Sequence, residues 1–392
     1  MVDDVTVADV RDWAEELDTA AALIGSRFAR SESRVRARDY LRALVACSGR
    51  RNGWRLAEHA GHGSPDGLQW LLAKSPWDAD AVRDDLREYV VRHFGSPEAV
   101  LAFDETGFIK KGDQSVAVAR QYTGVTGQVE NCQIGVFCCY ATPAGHAFID
   151  RRLYVHQSWA ADAARRERAG VPEELTFKTK PELAVDMLAD LIAARVPFGW
   201  VTADEVYGRH RAFRAFMHDQ AVRYVVTVAC DQMVVFDRTR RAQRVDAIAA
   251  TLPATSWERR SCGPGAKGQR YYDWAQVAIA VPDQTPAAGM WHLLLIRRSI
   301  SDPTELTFYL CHAPENTTMA RLVRVAGARW AVEEGFEVAK NEVGLDEYEV
   351  RKYNAWHRHI TLVMLAHAAL AVVRAKSNSK GAERRSLTVS SG

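Results

Sequence analysis

Two apolar runs in this 392-residue chain each end on an acid: Ala99-Val100-Leu101-Ala102-Phe103 on Asp104, and Phe198–Thr202, followed by Ala203, on Asp204. Ligands of open α/β sheets gather at the carboxyl ends of strands, so two strand-end carboxylates are expected to face one site. A further acidic pair, Glu333 and Glu334, lies in the helical stretch Arg329–Lys340. Positions 329, 333 and 340 are four and seven apart and share one helical face, which sets Glu333 between two cations. Three hard oxygen donors with no His or Cys beside them suit Mg²⁺ or Mn²⁺ rather than zinc. Two such ions can activate a water or a 3′-hydroxyl and stabilise the leaving oxygen of an in-line phosphoryl displacement. Arg329 and Lys340 would then hold neighbouring phosphates. Taken singly, each feature also has a plain structural role: a strand-end Asp as a helix cap, an Arg-Glu-Lys face as a salt-bridge stripe. Their coincidence is what points to chemistry.

The elements that must position these acids change texture along the chain. Residues 1–97 read as an all-helical N-terminal domain, with apolar positions at helical spacing in Val10–Trp13–Leu17, Tyr40–Leu41–Leu44–Val45 and Val82–Leu86–Val90. From Arg27 to Arg55 nine arginines face only Glu32 and Asp39, so a cationic surface including Arg34, Arg38, Arg51 and Arg55 is expected there. Within it, Asn52–Gly61 and Gly67–Lys74 have the form of two short helices joined by a glycine-containing turn, as a helix-turn-helix requires. Residues 98–230 read as a mixed α/β sheet, the first part of a core: strands around Val116–Tyr122 and Cys132–Tyr140, a helix over Pro181–Arg195, a helix over Arg209–Gln220 and a strand at Arg223–Val228. Residues 231–315 are strand-rich and read as a β-rich insertion. Helices return over 316–375, and 376–392 reads as a disordered basic tail.

Bulk properties exclude several classes. Hydrophobic residues make up 47% and charged residues 26%, the proportions of a soluble globular protein rather than a disordered chain. The net charge of +2 excludes a small, uniformly basic nucleic-acid-binding domain but not one with segregated charge. Seven scattered cysteines form no C-x-x-C pair, which argues against a disulfide framework or zinc knuckle. The acidic opening MVDDVTVADV has no signal-peptide form. The apolar stretch Ile360–Val373 falls short of the roughly 20 residues of a membrane span, so it reads as a buried helix and the protein as cytoplasmic. Gly263–Gly268 spells G-x-G-x-x-G, but it precedes a strand and contains Pro264, so it reads as a loop between strands. His357 and His359 read as capping or surface groups; Trp159, Trp200, Trp291 and Trp356 read as packing residues.

The stretches Phe103–Phe108 with Lys110-Lys111-Gly112, Val201–Gly208 and Arg329–Lys340 resemble the DDE transposases of bacterial insertion sequences. The resemblance runs from about residue 10 to about residue 374. It implies a ribonuclease-H-like catalytic fold carrying a β-rich insertion that helps hold transposon-end DNA. It makes Asp104, Asp204 and Glu333 the catalytic metal ligands, for two Mg²⁺ or Mn²⁺ ions per site. One branch carries a Tyr-x₂-Arg-x₃-Glu-x₆-Lys signature. Arg329, Glu333 and Lys340 fit it, which favours Glu333 over Glu334, while Ala326 stands at the Tyr position. The implied partners are double-stranded DNA, as terminal inverted repeats and target, and a second copy of the chain on that DNA, with no membrane. In the cell the protein would associate with the nucleoid. DNA-contacting candidates are Arg329, Lys340, Trp330, Lys110, Lys111, Arg34, Arg38, Arg51 and Arg55. Rival readings are a ribonuclease-H-like endonuclease or resolvase that does not transpose, a domesticated DNA-binding regulator, and a two-carboxylate glycosidase.

Overall fold

A computed structural model describes residues 7–236, 241–282 and 284–389. Five helices come first: α1 (Val7–Leu23), α2 (Ser31–Ala46), α3 (Gly53–His59), α4 (Asp66–Ala73) and α5 (Ala79–Phe94). Then follow β1 (Val100–Ile109), β2 (Ala119–Thr123), β3 (Gln128–Thr142), β4 (Gly145–Tyr154), α6 (Gln157–Ala160), α7 (Ala163–Ala169), α8 (Lys180–Ala193), β5 (Trp200–Ala203), α9 (Glu205–Gly208), α10 (Arg211–Asp219) and β6 (Tyr224–Val228). The rest comprises β7 (Met233–Val235), β8 (Ala242–Arg244), α11 (Val245–Thr251), β9 (Glu258–Gly265), β10 (Gly268–Ile279), β11 (Met290–Arg298), β12 (Leu306–Pro314), α12 (Met319–Ala328), α13 (Trp330–Val343) and α14 (Tyr353–Val389).

The chain divides into two compact units. The first gathers the described residues of Met1–Gly95, Glu105–Lys178 and Glu334–Gly392; the second gathers Ser96–Asp104 and Thr179–Glu333. β1 and α13 each contribute to both.

In the first unit the helical block does not stand apart as residues 1–97 alone. α1, α2, α4 and α5 pack on α14, and α14 and α5 also pack on β4. The apolar stretch expected to be a buried helix is one: Ile360 and Leu362 through Ala366 are fully buried. Among the described residues, Tyr353–Ser379 is the one helical segment long and apolar enough to cross a membrane, and most of it is covered by protein. The helix then continues to Val389, so the segment expected to be a disordered tail is helical as far as it is described. α3 and α4 are the two short helices foreseen around the glycine turn, with Gly61 at φ +75°. β3 is antiparallel to β2 and to β4, and neighbours β1. Asp150, fully buried on β4, accepts from Arg87 at 3.0 Å and Arg152 at 2.7 Å, a buried ion network that truncation would leave uncompensated.

The second unit is built on the strand order β1-β5-β6-β12-β11-β10-β9. β1, β5 and β6 are parallel, and β5 and β6 are joined through α9 and α10 as a parallel crossover requires. β12 runs antiparallel to β6, with Phe308 opposite Val228 and His312 opposite Tyr224. The strand-rich region 231–315 thus joins this sheet through the hydrogen bonds of β12 to β6. The G-x-G-x-x-G sequence closes the β9–β10 hairpin, with Gly265 paired to Gly268, as the loop reading requires. α12 lays Leu322, Val325 and Ala326 (positions i, i+3 and i+4) onto a core that includes Val100, Trp200, Val225, Trp274, Leu295 and Tyr309.

Candidate active site

The parallel register of β1 and β5 sets Val100 opposite Trp200 and Phe103 opposite Ala203. All of these but Val100 are essentially inaccessible to solvent, which makes a one-residue slip costly. The next residue along the chain in each case is an acid: Asp204 directly follows the end of β5, as expected, whereas Asp104 lies within β1, which continues to Ile109 because its second half stays extended beside β3. Asp204 also caps α9: its Oδ1 accepts from the Val206 N–H at 2.9 Å and the Tyr207 N–H at 3.4 Å. The capping role of a strand-end Asp is thus real here, and it fixes the orientation of the carboxylate.

Arg329 joins α12 to α13, and the helix predicted from residue 329 begins at Trp330. Its Nη1 donates to Asp104 Oδ2 at 3.1 Å, while Nη2 donates to Glu333 Oε1 one turn on. Burial alone would lower the Arg329 pKa, but Glu333, Asp104 and Asp204 outweigh it and raise it. The three acids thus act together on one cationic position. The Glu333 side chain is 38% exposed against 15% for Asp104, so the set opens to solvent on the Glu333 side. Glu334 belongs to the other unit and pairs with Arg374 at 3.0 Å.

Two glycines hold this arrangement and were not singled out from the sequence. A Cβ at Gly208, at the end of α9, would strike the Thr227 carbonyl of β6; one at Gly327, two residues before Arg329, would strike the Cys262 carbonyl of β9. Their signal was their position, four residues after Asp204 and two before Arg329. Also unforeseen is a cluster away from the carboxylates: His218 Nε2 lies 2.9 Å from Tyr224 Oη and 3.2 Å from His292 Nε2. Burial and the neighbouring His312 push His218 down to about 3 and His292 to about 4, so both are neutral near pH 7.

The cationic candidates divide. Arg34, Arg38, Arg55 and Lys111 are exposed. Arg51 is not: it is buried, and its guanidinium donates to the Leu44 carbonyl at 2.8 Å and the Glu342 carbonyl at 2.7 Å, beside Glu347. Lys110 is committed too, donating to the Tyr348 carbonyl at 3.1 Å with its ammonium 3.5 Å from that ring's centre; burial lowers it to about 8. Arg51 and Lys110 therefore leave the DNA-contacting set. Lys340 donates to Thr106 Oγ1 at 2.8 Å, and burial lowers its pKa. Trp330 is half-buried with the Arg270 guanidinium 5.1 Å from its ring. His357 and His359 are buried rather than at the surface, His359 bonding the Tyr40 hydroxyl at 2.8 Å. Trp159, Trp200 and Trp356 are buried as packing residues, whereas Trp291 is 42% exposed.

Two aspartates carried by neighbouring parallel strands and a glutamate on a later helix supply hard oxygen donors, the kind that suits a divalent cation. The chain matches the family described as DDE superfamily endonuclease over residues 24–289, and it belongs to that family. The matched span contains Asp104 and Asp204 and ends before Glu333. The chain is also 24% identical over 309 residues to a probable transposase for insertion sequence element IS701 from Microchaete diplosiphon, covering 76% of this chain and 72% of that protein. Family membership implies DNA as substrate and dependence on a divalent metal. The donor set fits such an ion: three carboxylates, no His or Cys, and a summed field that favours a cation. Among the described residues, no three His, Cys, Asp or Glu side chains stand in metal-holding geometry, and Arg329 lies between Asp104 and Glu333.

Proposed function

We propose that this chain is an insertion-sequence transposase that binds the terminal inverted repeats of its element and cuts and rejoins DNA strands with two divalent ions. One observation carries the reading: the β1–β5 register pairs Phe103 with Ala203, the residues just before Asp104 and Asp204, and Arg329 ties Asp104 to Glu333. The similarity to a probable transposase supports it. So does the strand order, with β3 next to β1 and antiparallel to β4 in one unit and β1-β5-β6 parallel in the other, as a ribonuclease-H-like core has.

In this reading Asp104, Asp204 and Glu333 hold Mg²⁺ or Mn²⁺. The bound ions supply an activated water or 3′-hydroxyl and neutralise charge on the leaving oxygen. Asp204 keeps its orientation through the α9 cap, and Gly208 and Gly327 let α9 and α12 approach the sheet closely enough to present the acids. Arg329 and Lys340 bind phosphates next to the scissile one. Trp330 contacts a base at the strand end. Arg34 and Arg38 on α2, Arg55 on α3 and Lys111 track the duplex backbone and position it without reading sequence. A second copy on the paired ends completes the assembly.

The test is incubation with DNA carrying the element's two ends, target DNA and Mg²⁺, resolved by strand. Joined end-to-target products support transposition. Cleavage with no joined product would reassign the chain as a plain endonuclease.

A further inference from the structure

The three carboxylates are gathered around a cation supplied by the chain itself. Arg329 spends Nη1 on Asp104 Oδ2 and Nη2 on Glu333 Oε1, and the field of Asp204 adds to both. We propose that the Arg329 guanidinium is an internal stand-in for the catalytic metal. It holds the acids together before metal arrives, competes with metal for the same oxygens, and on displacement turns to the DNA phosphate. The inference rests on reading Asp104, Asp204 and Glu333 as the metal set.

The chemistry favours a latch of this kind. A guanidinium stays protonated at any physiological pH, so it can leave the carboxylates only by moving, not by losing its charge. Its planar fork spans two carboxylates as a compact ammonium does not. Asp104 and Asp204 stand on adjacent strands, where two uncompensated like charges repel. With Arg329 between Asp104 and Glu333, the oxygens it engages are unavailable to an ion, in keeping with the lack of an assembled three-ligand group among the described residues. Arg329 stands at the junction of α12 and α13 and is not among the residues that pack the core with Leu322, Val325 and Ala326. The same group would then be latched when metal is absent and free for phosphate when metal is present, which orders metal loading ahead of productive DNA contact.

The test is Mn²⁺ binding by the full chain without DNA, followed by electron paramagnetic resonance, for wild type, Arg329→Gln, Arg329→Lys and Asp104→Asn. A latch closed about 90% of the time lowers apparent affinity about tenfold. Arg329→Gln should therefore bind Mn²⁺ about tenfold tighter than wild type, with Arg329→Lys in between. Circular dichroism melts confirm that each variant is folded, and Arg329→Lys keeps the test open if the Gln form is not. Equal or weaker Mn²⁺ affinity in both folded Arg329 variants, with binding still lost in Asp104→Asn, overturns the latch alone. No carboxylate-dependent Mn²⁺ binding in any form overturns the metal reading beneath it.

Discussion

Asp204 has two jobs that a pair of substitutions separates. Its Oδ1 caps α9 through the N–H groups of Val206 and Tyr207, while its charge contributes to the cation-binding field at Arg329. Asn caps a helix about as well as Asp, whereas Ala gives up roughly 0.5–2 kcal/mol. α9 is a single turn of four residues, so we place the Asp204→Ala loss near the middle of that range, about 1 kcal/mol. Asp204→Asn keeps the cap; it removes a like charge beside Asp104 and an attraction to Arg329, terms of opposite sign, so its stability should stay within about 0.5 kcal/mol of wild type. Both variants lose the anionic ligand, and strand cleavage should fall by at least about 10²–10³-fold in each, the scale on which single electrostatic groups in active sites act. Urea unfolding monitored by tryptophan fluorescence reads the first quantity, and a strand-resolved cleavage gel with Mg²⁺ reads the second. Asp204→Asn cutting at near wild-type rate would refute the ligand role. Equal destabilisation by Asn and Ala would refute the capping role.

Four further outcomes are expected. Glu333→Gln should abolish cleavage whereas Glu334→Gln, which breaks a largely exposed pair with Arg374, should retain it and shift stability by no more than about 1 kcal/mol; the reverse pattern in a cleavage assay would move the catalytic acid to Glu334. Arg51→Ala should destabilise by roughly 2–4 kcal/mol by stranding its buried partners. Arg34→Ala and Arg38→Ala should leave the urea midpoint unchanged and each lower the salt slope of DNA binding by about one, a prediction that fails if either variant binds DNA like wild type at all salt concentrations. His357, His359 and His367 are each pushed by burial down to about 3, below the ordinary value near 6.5. The unfolded chain thus binds more protons between those values, so stability is present above about pH 6.5 and is lost as pH falls through that window, by up to about 1.4 kcal/mol per pH unit for each histidine. Urea midpoints that stay flat from pH 7 to pH 5 would contradict this.

The carboxylate set was legible because local signals define it. Apolar runs ending at Asp104 and Asp204 mark two neighbouring strands, although only Asp204 follows a strand end and β1 continues past Asp104 to Ile109, and the four-residue step from Arg329 to Glu333 marks one helical turn. What escaped depends on partners distant in sequence. Nothing local tells that Arg51 is buried while Arg55, four residues on, is exposed; the Glu342 carbonyl and Glu347 decide it. Lys110 looks like a surface cation until the Tyr348 ring covers it. The strand content of 231–315 was visible, but its pairing to the sheet through β12 and β6 is a matter of register between segments some 80 residues apart. The basic, Ser-containing composition beyond residue 375 suggested a tail, and helical propagation from the apolar part of α14 overrode it.

Asp104, Asp204 and Glu333 should act as one metal-dependent strand-cutting site. The most direct measurement is cleavage of end-containing DNA by wild type, Asp104→Asn and Glu333→Gln, with and without Mn²⁺ and with excess chelator, on a strand-resolved gel. Wild type should cut only when metal is present, and neither folded variant should cut, while both still bind the ends. Metal-independent cutting, or cutting by the Asp104→Asn protein at the wild-type rate, would contradict it.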